Sequence, residues 1–287
     1  MTTTPLPPKL LAGPAAFLST LAAMAWKELL IMLRYPVEFV ASFGQIFLIV
    51  TSLTLAGLMF KPPAGAASGP GLDTAGIVVY GFVMFMFLGD TLWTIGYNVR
   101  RDQKQGTLEM LYLSPASKFA NLLSRVVITL IWTGALCVMA AWLMSGLIGR
   151  LPAHNVPLAA LLLVLALSGT FGTGFAFAAV TLRLKEAAQT LANLLQFGIM
   201  IFCAPFFPFS ALPEALLWVA RLLPPAHAID AFRSTLMGYP AGFPELAPIE
   251  VEIVVVAAYG LLMPLIGYWL YRREENRARR EGTLSEY

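Results

Sequence analysis

Charge is what this chain has least of. Only 12% of its 287 residues are Asp, Glu, Lys or Arg, whereas 58% are hydrophobic. A soluble domain carries about 25% charged residues. A chain this poor in charge cannot cover a globular surface with polar groups, and lipid is the solvent that removes the difficulty. Histidine is almost missing: His154 and His227 are the two, read as loop residues far apart in sequence. The two cysteines, Cys137 and Cys203, lie inside apolar runs and read as buried thiols, so no disulfide framework or redox pair is implied. There is no Gly-rich phosphate loop ending in Lys-Ser or Lys-Thr, and no strand–helix alternation for a nucleotide domain. ATP binding and hydrolysis by this chain are therefore not expected. No cluster of His, Asp or Glu falls at one membrane depth, which argues against a metal site or a membrane-embedded transferase. Residues 1–14 contain Pro5, Pro7, Pro8 and Lys9 without an apolar core, unlike a cleavable signal peptide.

What is present is a succession of long apolar runs. The expected fold is an all-α integral membrane protein with six transmembrane helices, in one domain: 1–36 as tail and interface helix, 37–271 as the membrane region, 272–287 as a second tail. The apolar stretch 17–33 is interrupted by Lys27 and Glu28 and closed by Arg34-Tyr35-Pro36. Lys27 and Arg34 share a helix face, and Leu18, Leu21, Leu29 and Met32 fall largely away from it. That pattern reads as a helix lying in the membrane interface; a tilted first span is the alternative. Spans are predicted at 37–60, 76–97, 119–148, 156–182, 188–206 and 251–271, against the roughly 20 residues a crossing helix needs. Lys61-Pro62-Pro63 stops the first span, and residues 64–71 read as a short exposed loop. Between the fifth and sixth spans, 211–223 is apolar but too short to cross. It reads as an interfacial or re-entrant helix closed by Pro224-Pro225, and 228–237 resembles it in length. Pro264 is expected to kink the last span.

Sidedness follows from the Lys and Arg count. Of the 19 basic residues, fifteen fall on one side: Lys9, Lys27, Arg34, Arg100, Arg101, Lys104, Lys118, Arg125, Arg183, Lys185 and the five arginines of the tail. Lys61, Arg150, Arg221 and Arg233 fall on the other. The rich side is read as cytoplasmic, with both termini there. An odd number of spans would mix the two sets.

The loop after the second span, 98–118, is the most informative segment. Gly106 permits a sharp bend, Thr107 caps a short helix carrying Leu108, Met110 and Leu111, and Pro115 ends it. A short amphipathic helix flanked by charge suits docking onto a cytoplasmic protein; the plain alternative is a solvated loop that obeys the positive-inside rule.

The run Gln105-Gly106-Thr107-Leu108-Glu109, with Leu111 and Ser114-Pro115 after it, resembles the signature that follows the second span of type-2 ABC export permeases. Trp26-Lys27-Glu28-Leu29 and Arg34-Tyr35-Pro36 resemble that family's interface helix, and the six spans with short broken helices before the last fit the same pattern. The resemblance implies a half-transporter of an inner (cell) membrane. It would pair with a second permease copy, a homodimer before a heterodimer, and with a separate ATP-binding cassette subunit that holds the ATP and Mg. It implies that Gly106, Thr107, Leu108, Glu109, Leu111 and Pro115 form the main coupling element. Arg183, Lys185 and Glu186 would form a smaller second contact. Trp26, Lys27, Glu28 and Arg34 would belong to the interface helix. The implied substrate is amphipathic, drug-like or lipid-like, with a polysaccharide or lipid-linked glycan as the alternative; no nucleic acid is expected among the partners.

Polar residues inside the spans complete the set of candidates. Asp90 lies near the middle of the second span, where a charge costs about 2.5–3.5 kcal/mol on insertion scales and normally faces protein or water. It reads either as a pathway residue or as a structural carboxyl bonded to a neighbouring helix. If it titrates during transport, an ion-coupled secondary transporter is the more distant alternative, against which the lack of an internal repeat counts. Asn193 and Gln196 read as helix–helix hydrogen-bond partners or pathway residues. Gly169 and Thr173, like Thr170 and Gly174, are small residues four apart that allow close helix approach, within the subunit before the dimer contact. Phe206, Phe207 and Phe209 are candidates for an outer gate.

Overall fold

The computed structural model describes residues 14–34, scattered helical positions between 37 and 52, and residues 71–104, 118–148, 151–184 and 187–281. Most of the predicted first span, residues 64–70 of the predicted loop, the coupling segment Gly106 to Pro115, and Lys185 with Glu186 lie outside the described residues; Gly71, expected to end that loop, begins a helix. Among those described, all regular structure is helical: α1 (Pro14–Arg34), α2 (Gly71–Lys104), α3 (Lys118–Ile148), α4 (Val156–Leu184), α5 (Ala187–Phe202), a single 3-10 turn (Phe209–Ala211), α6 (Glu214–Leu222), α7 (Pro224–Met237) and α8 (Ile249–Glu281). Two of these, over Val156–Val180 and Ile249–Glu274, are long and apolar enough to cross a membrane.

The helices run further than the apolar segments that seed them. The second span was expected to end at Arg100-Arg101, but α2 continues to Lys104 over 34 residues, about 51 Å at 1.5 Å per residue. Arg and Lys are good helix formers, so a basic pair ends the apolar stretch without ending the helix. The same holds for α8, which carries the charged tail as far as Glu281.

The fifth span is the reverse case. It was expected to reach 206 and stops at Phe202 after 16 residues. Pro205 disfavours the helical conformation at the residue before it. Ala204 turns to a positive φ of 43°, and the chain folds back over α2. A Cβ placed on Gly81 of α2 would sit 2.2 Å from the Pro205 carbonyl oxygen, so only glycine permits this crossing.

A second correction concerns Pro224-Pro225. These residues do end α6, but they also begin α7, with proline at its first positions. Gly238 closes α7 in the left-handed conformation at φ 77°. Every residue from Ala226 to Met237 is buried. This short helix therefore packs on all sides, against α2, α4 and α8. Its alanines, Ala226, Ala228 and Ala231, are small enough to let three neighbours close around it.

The tightest contact in the bundle joins α4 to α8. A Cβ on Gly267 would lie 1.9 Å from the Gly172 carbonyl oxygen, one on Gly172 would lie 2.3 Å from the Pro264 nitrogen, and one on Gly260 would lie 2.5 Å from the Leu165 carbonyl oxygen. The two backbones touch, and the small-residue stripe of α4 is used within the chain. Tyr259 lays its ring over Gly169, with its hydroxyl 2.9 Å from Thr173 Oγ1. Pro264 has no N–H to give to the carbonyl four residues earlier, which is that of Gly260. Ser168 Oγ on α4 donates to that carbonyl at 2.8 Å. The proline and the serine on different helices thus form one local solution to a backbone group with no water nearby.

A double-mutant cycle tests this pairing. Ser168→Ala should lower stability in detergent unfolding by about 1 kcal/mol, in the range measured for interhelical hydrogen bonds in membranes. In a Pro264→Ala background, where the helix can bond its own carbonyl, the same change should cost measurably less. Equal costs in the two backgrounds would contradict the account. Gly267→Ala, which forces the backbones apart, should destabilise more than either.

Candidate functional site

The chain reverses direction at each helix, so the start of α2, the end of α3, the start of α4, the end of α5 and the start of α8 all lie at one end of the bundle, with α6 and α7. Residues 203–248 form a cap there that shares one continuous core with the helices, from Val79, Phe82 and Leu88 of α2 through Cys203 and Phe209 to Ile229 and Val256. Helix positions Arg100, Arg101, Lys104, Lys118 and Arg272 to Arg280 lie at the opposite end.

The cap is organised by one buried cation. Arg233, on α7, is 0% exposed. Its Nε donates to Asp230 Oδ1 at 3.2 Å and its Nη2 to Glu245 Oε1 at 3.0 Å. Its Nη1 lies 3.2 Å from the Phe207 carbonyl oxygen and 3.4 Å from that of Ala204, the residues just past the end of α5. The guanidinium stands 4.7 Å from the Phe209 ring centre and 5.4 Å from that of Phe243.

The two carboxylates are satisfied by backbone as well. Asp230 Oδ2 accepts the N–H groups of Glu245 at 2.7 Å and Leu246 at 2.8 Å. Glu245 accepts the N–H of Phe209 at 3.1 Å and of Ser210 at 2.6 Å, the first residues of the 3-10 turn. An unpaired buried charge would cost several kcal/mol. Here each charge has opposite charges and N–H donors around it, in a fork geometry that a lysine cannot reproduce.

Beside this network stands His227. Its Nε2 lies 2.9 Å from the Arg221 carbonyl oxygen at the end of α6, and its Nδ1 is 3.6 Å from Glu252 Oε1 in the first turn of α8. The latter distance is an ion-pair separation and too long for a hydrogen bond. Burial alone would lower the pKa of His227. The Glu252 carboxylate, the Arg221 carbonyl and the charge of Asp230 outweigh that and raise it above the ordinary histidine value.

The cap network escaped the sequence reading, in which Arg233 served only in the count of bases on the two sides and His227 was placed in a loop. The legible signal was the spacing His227-x-x-Asp230-x-x-Arg233 within a helix of small residues: three titratable groups three apart, in a segment otherwise fit only for burial.

The other candidates are distributed as follows. Phe209 is fully buried beneath Arg233. Phe206 packs between Phe82 and Phe85 of α2, at ring-centre distances of 5.8 and 5.7 Å. Phe207 contributes its carbonyl to Arg233. The three aromatics thus belong to the seam between cap and bundle. Asp90, half-buried in α2, accepts a hydrogen bond from Thr133 Oγ1 of α3, the partner that a structural carboxyl requires. Gln196 on α5 reaches Gly89, the neighbour of Asp90, whereas Asn193 is exposed. Trp26, Lys27 and Arg34 are exposed on α1, which packs along α3, and Glu28 lies in that same helix. Arg183 is in the last turn of α4.

Substituting the central cation isolates its role. Arg233→Met should lower cap stability by about 3–5 kcal/mol, because it leaves two carboxylates facing apolar surroundings. Arg233→Lys should restore only a minor part, since one ammonium cannot reach Asp230, Glu245 and the two carbonyls together. Hydrogen exchange over 203–248 is the measurement.

No curated protein matches the chain. A family model described as ABC-2 family transporter protein matches residues 51–270, about three quarters of the sequence. That span takes in α2 to α7, most of α8 and the whole of the cap. The chain therefore belongs to the ABC-2 transporter family, as a membrane-embedded permease subunit and not itself an enzyme.

Proposed function

We propose that this subunit forms half of the path of an ATP-driven exporter for an amphipathic, drug-like or lipid-like substrate. The observation that carries the reading is the family match over 51–270, within which Gln105-Gly106-Thr107-Leu108-Glu109 stands in the loop between α2 and α3. The chain spans the inner membrane six times with both termini in the cytoplasm. Support comes from the skew of fifteen in 19 basic residues to one side, and from the helix reversals that put the cap at the far end from those bases. The cap then faces outward. A second copy of the chain completes the path.

A separate ATP-binding subunit docks on the loop, with Glu109 touching or bracing the contact and Arg183, Lys185 and Glu186 forming a smaller one. Closure of two such ATPases rocks α2 and α3 through this loop. Asp90 and Gln196, on neighbouring helices, face the path or hold the helices that line it. Phe206, Phe207 and Phe209 fix the cap to α2 and α5 at the exit.

Co-expression with the candidate ATP-binding subunit tests the reading. A stable complex is expected in nanodiscs, and Glu109→Ala should abolish substrate-stimulated ATP hydrolysis or release the partner. If no ATPase is retained and the isolated chain instead shows proton-dependent flux lost in Asp90→Asn, the exporter reading is wrong and ion-coupled transport replaces it.

A further inference from the structure

Where the cap meets the start of α8 stands a polar pair that the charge network does not use. Glu252 is 0% exposed, and neither of its carboxylate oxygens accepts a hydrogen bond from the described residues. His227 is 5% exposed, and its Nδ1 likewise has no hydrogen-bond partner among them. The two groups face each other at 3.6 Å. The other nitrogen of the ring decides what this means. A carbonyl can only accept, so the contact from Nε2 to the Arg221 oxygen, at 2.9 Å, puts a hydrogen on Nε2. In neutral His227 the Nδ1 lone pair would then point at the carboxylate. Two lone pairs would be opposed in a buried site, which is costly. The opposition ends only if a proton lies between them, on Nδ1 or on Glu252.

We propose that His227 and Glu252 hold one proton between them, and that this proton latches the cap to the start of α8. The ring spans three elements, since its Nε2 holds the end of α6, its own backbone is in α7, and its Nδ1 faces α8. Loss of the proton leaves Glu252 charged and unpaired next to Asp230, an anion already engaged by Arg233 and by the backbone N–H groups of Glu245 and Leu246.

Among the described residues, the charged groups nearest the pair are anions, Asp230 on α7 and Glu250 in the first turn of α8. α4 has no charged residue between Val156 and Val180, and α5 has none. On α2, Asp90 is bonded to Thr133 far along the helix and the Tyr80 hydroxyl donates to the Pro152 carbonyl. The Arg221 guanidinium lies over Trp218, 5.8 Å from its centre. His154 sits at the other end of α7, against Gly238.

The direction of the pH effect follows. A histidine whose pKa is raised in the folded cap stabilises it fully below the unfolded value of about 6.5. That stabilisation is lost as pH rises through the folded value. The latch holds in acid and neutral conditions and opens on the alkaline side. That the pH in question is the external one rests on the outward orientation proposed above; the shared proton itself does not.

With only two histidines in the chain, labelling is sparse. Solid-state NMR of the full chain in lipid vesicles, with 13C,15N-histidine and His154→Gln to assign the signals, reads the proton directly. The expected spectrum near neutrality shows His227 Nδ1 either protonated or accepting a hydrogen bond from a carboxyl group. Its titration should end above the ordinary histidine range, and Glu252→Gln should bring it into or below that range. Amide protection of α7, corrected for intrinsic exchange, should be lost over the same pH interval in the wild type. A bare Nδ1 lone pair near neutrality in the wild type, or α7 protection that ignores pH, overturns the proposal. The wild-type spectrum decides even if Glu252→Gln fails to fold, and neither readout depends on transport or on an ATPase.

Discussion

Arg233 is the residue around which the cap closes. A guanidinium with no access to solvent must find its counter-charges and acceptors inside the protein. The groups it finds come from four separate pieces of chain: the end of α5, the segment before the 3-10 turn, α7 itself and the stretch leading to α8. The three pieces outside α7 would otherwise be loops with unsatisfied backbone groups in an apolar setting. The two carboxylates extend the effect, because Glu245 holds the start of the 3-10 turn and Asp230 holds the backbone of Glu245 and Leu246. A buried ion cluster is weak evidence for net stability. Its use here is specificity, since only one arrangement of these segments satisfies every member.

The bundle beneath is governed by a different constraint. In hydrocarbon there is little hydrophobic gain from helix–helix contact, so close packing and interhelical hydrogen bonds take over. Gly172, Gly260 and Gly267 bring the α4 and α8 backbones together, and Ser168 supplies the bond that Pro264 removes. The result is a stiff pair of helices at the centre, with α7 wedged against both and against α2. Asp90, Thr133 and Gln196 lie away from this pair, at the seams between α2, α3 and α5.

The sequence alone was enough for what depends on composition and one-dimensional order. Low charge required lipid as solvent, the lengths of the apolar runs limited which segments can cross, and the order of Gln105 to Glu109 after the second apolar run indicated the family. Even the close-packing role of Gly169 and Thr173 was visible, because four-residue spacing on a helix defines a face without reference to any partner. Tertiary structure decided the matters in which two distant segments meet. Gly260 and Gly267 matter only because Leu165 and Gly172 lie opposite them. The fifth helix ends at Phe202 because Pro205 must turn the chain onto Gly81. Pro224-Pro225 begins a helix as well as ending one, since α7 has neighbours to bury it. Arg233 looked like an ordinary charge on one side of a membrane, for a charge in a sequence carries no mark of its depth; desolvation, and the partners that offset it, exist only once the chain is folded.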